Sequence, residues 1–259
     1  MARFVGAAEP LSKPGFEAAV AALGAGMAEL VAVLKVESRS CGFLPNRRPK
    51  ILYERHVFHR LTGGAHSAAH PDISNPLAGG YAGNEREYPR LERAMRLDRT
   101  AALKSASWGA GQVMGENHRM VGYDDVETMV EAMQASEDEQ LMSVVNFIRT
   151  RRLDDALRQH DWARFARGYN GPAYAKNKYD LMLRAQYEAV LTGTLPDLNV
   201  RAAQLFLTYL GYALGDIDGL YGRRSRAAVV EFKAAHGLAG GERVDHALFD
   251  ALRAQVQAL

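Results

Sequence analysis

One carboxylate stands where carboxylates are seldom placed. Met27, Leu30, Val31 and Leu34 recur at helical spacing, and Glu37 follows three residues after Leu34 on the same face. Gly42 lies just beyond, where such a helix often stops. Burying a charge is costly unless it is paired. Desolvation disfavours the ionised form, and the carbonyl end of a helix repels a carboxylate. Both effects raise the pKa. A glutamic acid that keeps its proton near neutral pH can donate it to a leaving group, so Glu37 is a candidate general acid. The spacing by itself accommodates a solvated glutamate in the last helical turn as readily.

A second carboxylate is harder to assign. Glu54 sits in the short run Ile51 to Phe58, flanked by Arg55 and His56. It suits holding an attacking water and equally suits a structural pairing with Arg55 or Arg48. Asp72 and Glu85, in an irregular stretch, are weaker candidates for the same task. His56, His59, His66 and His70 raise the question of a metal. No His-Glu-x-x-His pattern exists, and the single cysteine, Cys41, excludes a thiolate site. No metal or cofactor is expected. Trp108 and Tyr53 suit stacking on a ligand ring, although aromatics of this kind more often fill a core.

The elements that must position these residues are mostly helical. Ser12 and Pro14 start a first helix through Phe16, Val20 and Leu23, broken at Gly24 and Gly26. The helix ending at Glu37 follows, and then a turn-rich stretch to Pro49. Ile51 to Phe58 is ambiguous between strand and helix. Thr62 to Glu85 has no period and reads as a long surface loop. Tyr88 to Ser105 is helical, Ser107 to Gln112 a small-residue turn. Further helices are expected over 126–136, 138–149, 153–160, 162–168 and 179–191. Tyr169-Asn170-Gly171-Pro172 between them is a strong turn signal. Thr192 to Asp197 reads as a linker. Beyond it come three more helices, over 200–210, 224–236 and 245–259, around a glycine-rich loop at 211–222. A unit that small has a marginal core of its own.

Three short signatures stand in order: Glu37-Ser38, Gly109-Ala110-Gly111-Gln112 and Gly168-Tyr169-Asn170. They resemble the motifs of goose-type lysozymes and lytic transglycosylases. Val36-Glu37-Ser38, Gly42-Phe43-Leu44, Arg48-Pro49-Lys50-Ile51-Leu52-Tyr53-Glu54-Arg55-His56, Ser107-Trp108-Gly109 and Tyr169-Asn170-Gly171 are similar to one branch, the phage and prophage N-acetylmuramidases. The likeness runs from about Pro14 to Leu191. It implies an all-α, lysozyme-like domain that cleaves peptidoglycan glycan strands, with Glu37 as its catalytic acid. Ser38, Ser107, Gln112, Tyr169 and Asn170 would then bind substrate, while Glu54 stays the candidate second catalytic group beside its structural alternative. Arg47, Arg48 and Lys50 would draw in peptide-stem carboxylates, unless they are only a solvated loop.

Leu210-Gly211-Tyr212, Asp218-Gly219-Leu220-Tyr221-Gly222, Ser225-Arg226-Ala227-Ala228-Val229 and Phe232-Lys233-Ala234-Ala235-His236-Gly237-Leu238 resemble the three-helix peptidoglycan-binding domain. Ser225 departs from the threonine more usual there. Asp218-Gly219 and Gly222 read as loop architecture, and Tyr221 and Arg224 as wall contacts. The resulting organisation is a catalytic domain over 1–192, a linker over 193–198 and a binding domain over 199–259. Such a module raises the effective concentration of an enzyme on an insoluble polymer.

Composition agrees with this class. The 259 residues suffice for one sizeable domain and a small one, and 47% hydrophobic with 24% charged residues is globular. The net charge of +2 without a dense Lys/Arg run does not favour nucleic-acid binding. No apolar run approaches bilayer length, and Met1 to Gly15 lacks a secretory pattern. The expectation is a monomer made in the cytoplasm, reaching the wall by holin-type release. Two rivals remain open: a lytic transglycosylase, and a non-catalytic wall-binding or phage structural protein. Wall-lytic activity is expected to persist in excess EDTA; its loss, restored by added zinc, would revive a metal-dependent amidase.

Overall fold

The computed structural model describes residues 4–37, 41–193 and 195–259. Among them are thirteen α-helices and one small antiparallel sheet, so the mostly helical expectation holds. Helix α1 (Lys13–Leu23) begins where the Ser12 hydroxyl accepts from the Gly15 N–H, and it stops at Gly24, whose φ is +64°. Helix α2 (Met27–Glu37) is more enclosed than a one-stripe reading suggests. Leu30, Val31, Ala32, Val33 and Val36 are all buried. Met27 is 46% exposed and Leu34 is half-buried. The face carrying Met27, Val31 and Leu34 opens on a cavity of about 720 Å³, walled on its other side by residues that follow Thr194.

The ambiguous run at Ile51 resolves into both structures, strand β1 (Ile51–Tyr53) and helix α3 (Arg55–Leu61). Between Thr62 and Gly83 no helix or strand forms. Polar clamps order this loop instead. The Tyr53 hydroxyl donates to Ile73 O at 2.9 Å. Arg55 donates to Leu77 O and Ala78 O, and the Glu87 carboxylate accepts from the Ala82 and Gly83 amides. The helical stretch from Tyr88 divides into α4 (Glu87–Leu97) and α5 (Arg99–Lys104). Asp98 is the reason: its backbone is extended and its carboxylate caps the Ala101 N–H at 2.8 Å.

Sequence periodicity missed β2 (Ala106–Trp108) and β3 (Val113–Met114). Both are too short to show a period of two. They complete the sheet β1-β2-β3, with Ile51 opposite Trp108 and Ser107 opposite Met114. Helices α6 (Val126–Ala135), α7 (Glu137–Thr150), α8 (Asp154–Arg158) and α9 (Trp162–Asn170) follow, three of them capped by Asp125, Ser136 and Asp161. Helix α10 (Tyr179–Thr192) packs against both α2 and α9. No single helix among the described residues is long and apolar enough to cross a membrane.

The C-terminal unit consists of α11 (Leu198–Tyr209), α12 (Arg223–Ala235) and α13 (His246–Gln257). Gln204 organises its loop, accepting from Gly219 N and donating to Leu220 O and the Ser225 hydroxyl. The unit does not hang free. Its core of Leu205, Val229, Phe232, Leu248 and Leu252 also contains Ala8, Cys41 and Phe43 from the larger body. The larger body has a separate core around Tyr53, Phe58, Tyr88, Trp108 and Phe165. Trp108 is its largest fully buried side chain, and the indole N–H donates to Leu103 O at 3.1 Å. Trp108→Ala is expected to cost about 3–5 kcal/mol of stability, read from urea unfolding of the purified protein.

Candidate active site

Glu37 is the last residue of α2, and α9 delivers its partner. Tyr169 and Asn170 are the last two residues of α9 and not part of the turn, which begins at Gly171 with φ +86°. The difference is one of register: glycine, free to take positive φ, ends the helix one residue after Asn170. The Asn170 Nδ2 donates to Glu37 Oε1 at 2.9 Å. The Tyr169 hydroxyl donates to Gly111 O at 3.3 Å. Three stretches separated widely in sequence thus meet: the end of α2, the end of α9 and the turn between β2 and β3.

The electrostatics follow from burial. Desolvation pushes the Glu37 carboxyl above its ordinary range, and the hydrogen bond from Asn170 pulls the other way without reversing it. The Tyr169 phenol is held well above its usual value by burial and then by the charge of Glu37. Tyr169 therefore stays a neutral hydrogen-bond donor. Asn170 Oδ1 is buried and has no partner among the described residues. An amide turned over would offer that oxygen to the protonated acid, so Asn170 can serve either protonation state.

The other expected residues fall in several places. Gln112, with φ +47°, braces the β2–β3 turn. Its Oε1 accepts from the Ser107 hydroxyl at 2.9 Å, and its Nε2 donates to Gly109 O at 2.9 Å and Lys50 O at 3.3 Å. The polar atoms of Gln112 and Ser107 are thus engaged within the protein. Both oxygens of Glu54 accept from the Tyr81 hydroxyl, and His56 Nδ1 lies 3.1 Å from Glu54 Oε2. No hydrogen bond or ion pair joins Glu54 to Glu37 among the described residues. Asp72 pairs with Arg93 at 2.6 Å, which holds its carboxyl below the usual range. Ser38 lies outside the described residues.

Several alternatives close. Trp108 and Tyr53 are fully buried and belong to the core. Arg47 donates to Val256 O at 2.6 Å, and Arg48 stacks on the Tyr88 ring, so two of the three basic side chains have internal work. His59 bonds to the Ser67 hydroxyl, and His66 stacks on Phe58. In the C-terminal unit the Tyr221 hydroxyl donates to Glu242 O, while Arg224 is exposed.

Sequence reading overlooked two residues of α7 that hold the site's loops. Gln140 Oε1 accepts from Ala110 N at 2.8 Å, and its Nε2 donates to Met133 O. Glu137 accepts from Gly42 N at 2.8 Å. Gly42 is required by close approach: a Cβ there would lie 1.7 Å from Gln140 Oε1. The only sequence signal was the position of Glu137 just after the Ser136 cap, which reads equally well as ordinary helix-start chemistry.

Residues 26–191 match the N-acetylmuramidase family model. The chain belongs to that family. Residues 196–252 of this muramidase match a second family, described as "Putative peptidoglycan binding domain". The crystal structure of the Burkholderia AP3 phage endolysin is similar to it, at 42% identity and a TM-score of 0.66, over 70% of this chain and 71% of that one. No curated protein matches. The lysozyme-like helical class expected from the motifs is therefore that of the muramidase.

The raised pKa of Glu37 has a consequence for stability. The folded muramidase holds this proton more tightly than the unfolded chain does. The contribution is fully present below the unfolded pKa and is lost as pH rises through the folded one. Glu37→Gln keeps the acceptor for Asn170 and never carries the charge. It is expected to be more stable than wild type above the ordinary carboxylate range, with a gain that grows through the titration of Glu37 and then levels. Urea unfolding over a pH series measures this.

Proposed function

We propose that this muramidase is an endolysin that hydrolyses the β-1,4 bond between N-acetylmuramic acid and N-acetylglucosamine, with Glu37 as general acid. The observation that carries the reading is the half-buried Glu37, its pKa raised and its carboxylate met by the Asn170 amide. A glutamic acid so placed protonates the bridging oxygen as the bond to the sugar breaks. Asn170 orients the acid, and Tyr169 steadies the Gly111 carbonyl. Ser38, Ser107 and Gln112 are proposed to line the sugar site, the latter two by shaping the turn that they brace.

The oxocarbenium-like centre then needs an attacking group. Glu54 is the carboxylate we propose for holding a water, kept in place by Tyr81. The substrate's own N-acetyl group is the other source of assistance. The chain would work as a monomer without a cofactor, as a catalytic domain over 1–192 joined through 193–198 to a wall-binding domain over 199–259. Tyr221 and Arg224 are its proposed peptidoglycan contacts. Synthesis in the host cytoplasm and holin-type release complete the reading.

Glu37→Gln is expected to abolish lysis of purified peptidoglycan while circular dichroism stays native. Near wild-type lysis by the folded variant refutes the assignment. Mass spectrometry of the wild-type products reads the reaction type: free reducing ends are expected, and 1,6-anhydro ends would make the protein a lytic transglycosylase.

A further inference from the structure

Among the buried carboxylates of the larger body, Glu137 takes no part in the chemistry above and yet reaches into the binding module. Glu137 is 2% exposed, at the first turn of α7, and its four hydrogen bonds saturate both oxygens. Oε2 accepts from Leu11 N at 2.8 Å and Arg201 Nη1 at 2.5 Å. Oε1 accepts from Gly42 N and Arg201 Nη2, both at 2.8 Å. Arg201 belongs to α11, in the peptidoglycan-binding module. This is a two-pronged, buried guanidinium–carboxylate pair, the geometry in which arginine is least replaceable.

What the pair holds on the acid's side of the body is the Gly42 amide. Gly42 comes five residues after the acid. Its neighbours Cys41 and Phe43 are 3% and 1% exposed, and they are buried in the core of the module. From Gly42 the hydrogen bonds continue back to the site. Gly42 O accepts from Lys50 N, and Lys50 O accepts from Gly109 N and the Gln112 amide. Gln140 ties Ala110, and Gly111 O takes the Tyr169 hydroxyl. Three further contacts seat the module on the body: Tyr209 to Ala8 O, Arg47 to Val256 O and Arg253 to Glu9.

Accepting Glu37 as the acid, we propose that Arg201 of the binding module is a positioning residue for it, acting through Glu137 and the Gly42 backbone. The module completes the active site as well as holding the wall. Without the guanidinium, Glu137 is an unpaired buried charge and must take a proton or admit water. Either change loosens the Gly42 and Leu11 amides, and displacement of a catalytic group by a fraction of an ångström is enough to slow the reaction.

The test separates positioning from tethering by using a substrate that needs no tether. Soluble glycan strands, freed from their peptides by an amidase, are offered to the full chain, and kcat and KM are measured separately. Arg201→Met is expected to lower kcat by about tenfold or more with KM changed by about twofold or less. Its binding to intact sacculi in a pull-down is expected to match wild type. Arg201→Lys, which keeps the charge, is expected to recover part of kcat. Glu137→Gln is the second variant and is expected to lower kcat similarly. If neither single variant folds by circular dichroism, the double variant Glu137→Gln/Arg201→Met, which buries no unpaired charge, is measured by the same criterion. Wild-type kcat in any folded variant of the pair that lacks Arg201 or the Glu137 charge overturns the proposal, as does a defect confined to KM or sacculus binding. Glu37→Gln in the same assay guards the underlying reading: if it retains kcat, the acid assignment fails, whereas its loss beside an active Arg201→Met removes only the positioning role.

Discussion

A carboxyl group at the end of a mostly buried helix, met by a single amide, is the interaction on which the proposed chemistry rests. Burial and the Asn170 hydrogen bond act on Glu37 in opposite senses, and burial is the larger effect. A stronger set of donors would hold the group ionised and useless as an acid. Weaker burial would leave it ionised in the same way. The balance depends on α10, which packs against both α2 and α9 and so fixes the distance between acid and amide. In the proposed chemistry the helical body matters chiefly because it keeps these two helix ends at hydrogen-bond range.

The rest of the site is made of loops, and loops bring a different problem. Backbone amides outside helices need partners when they are buried. Here side chains supply them. Gln112 closes the β2–β3 turn, Gln140 holds Ala110, and Glu137 takes Leu11 and Gly42. Residues that look like substrate ligands in a motif are thereby partly framework. Gln112 illustrates this: its amide spends three hydrogen bonds on the protein itself. It braces the turn that presents Gly111 to Tyr169.

The two family matches describe a modular chain, yet the modules share a core. Cys41 and Phe43 belong in sequence to the muramidase domain and in packing to the binding module. A three-helix unit of about sixty residues buries little apolar surface by itself. Docking on the larger body supplies the missing part and leaves a cavity of about 720 Å³ beside α2. Binding to the wall and cutting it are consequently built on one continuous frame.

Much of this was legible in the residues. The apolar spacing and caps located α1 and α2, the long irregular segment after Thr62 stayed irregular, and the three terminal helices were marked by their own periodicity. The order Glu37, Gly109–Gln112, Tyr169-Asn170 carried the family, because local chemistry at each point is written in a few adjacent residues. Strands of two or three residues left no period to read, and the split at Asp98 depended on one capping side chain. What only the tertiary structure decided were the relations between distant residues: that Asn170 ends a helix and faces Glu37, that Gln112 turns inward, that Glu137 meets Arg201 sixty-four positions away. A sequence specifies which groups can desolvate or hydrogen-bond. Which of them actually meet is set by packing, since burial and pairing are properties of neighbours in space.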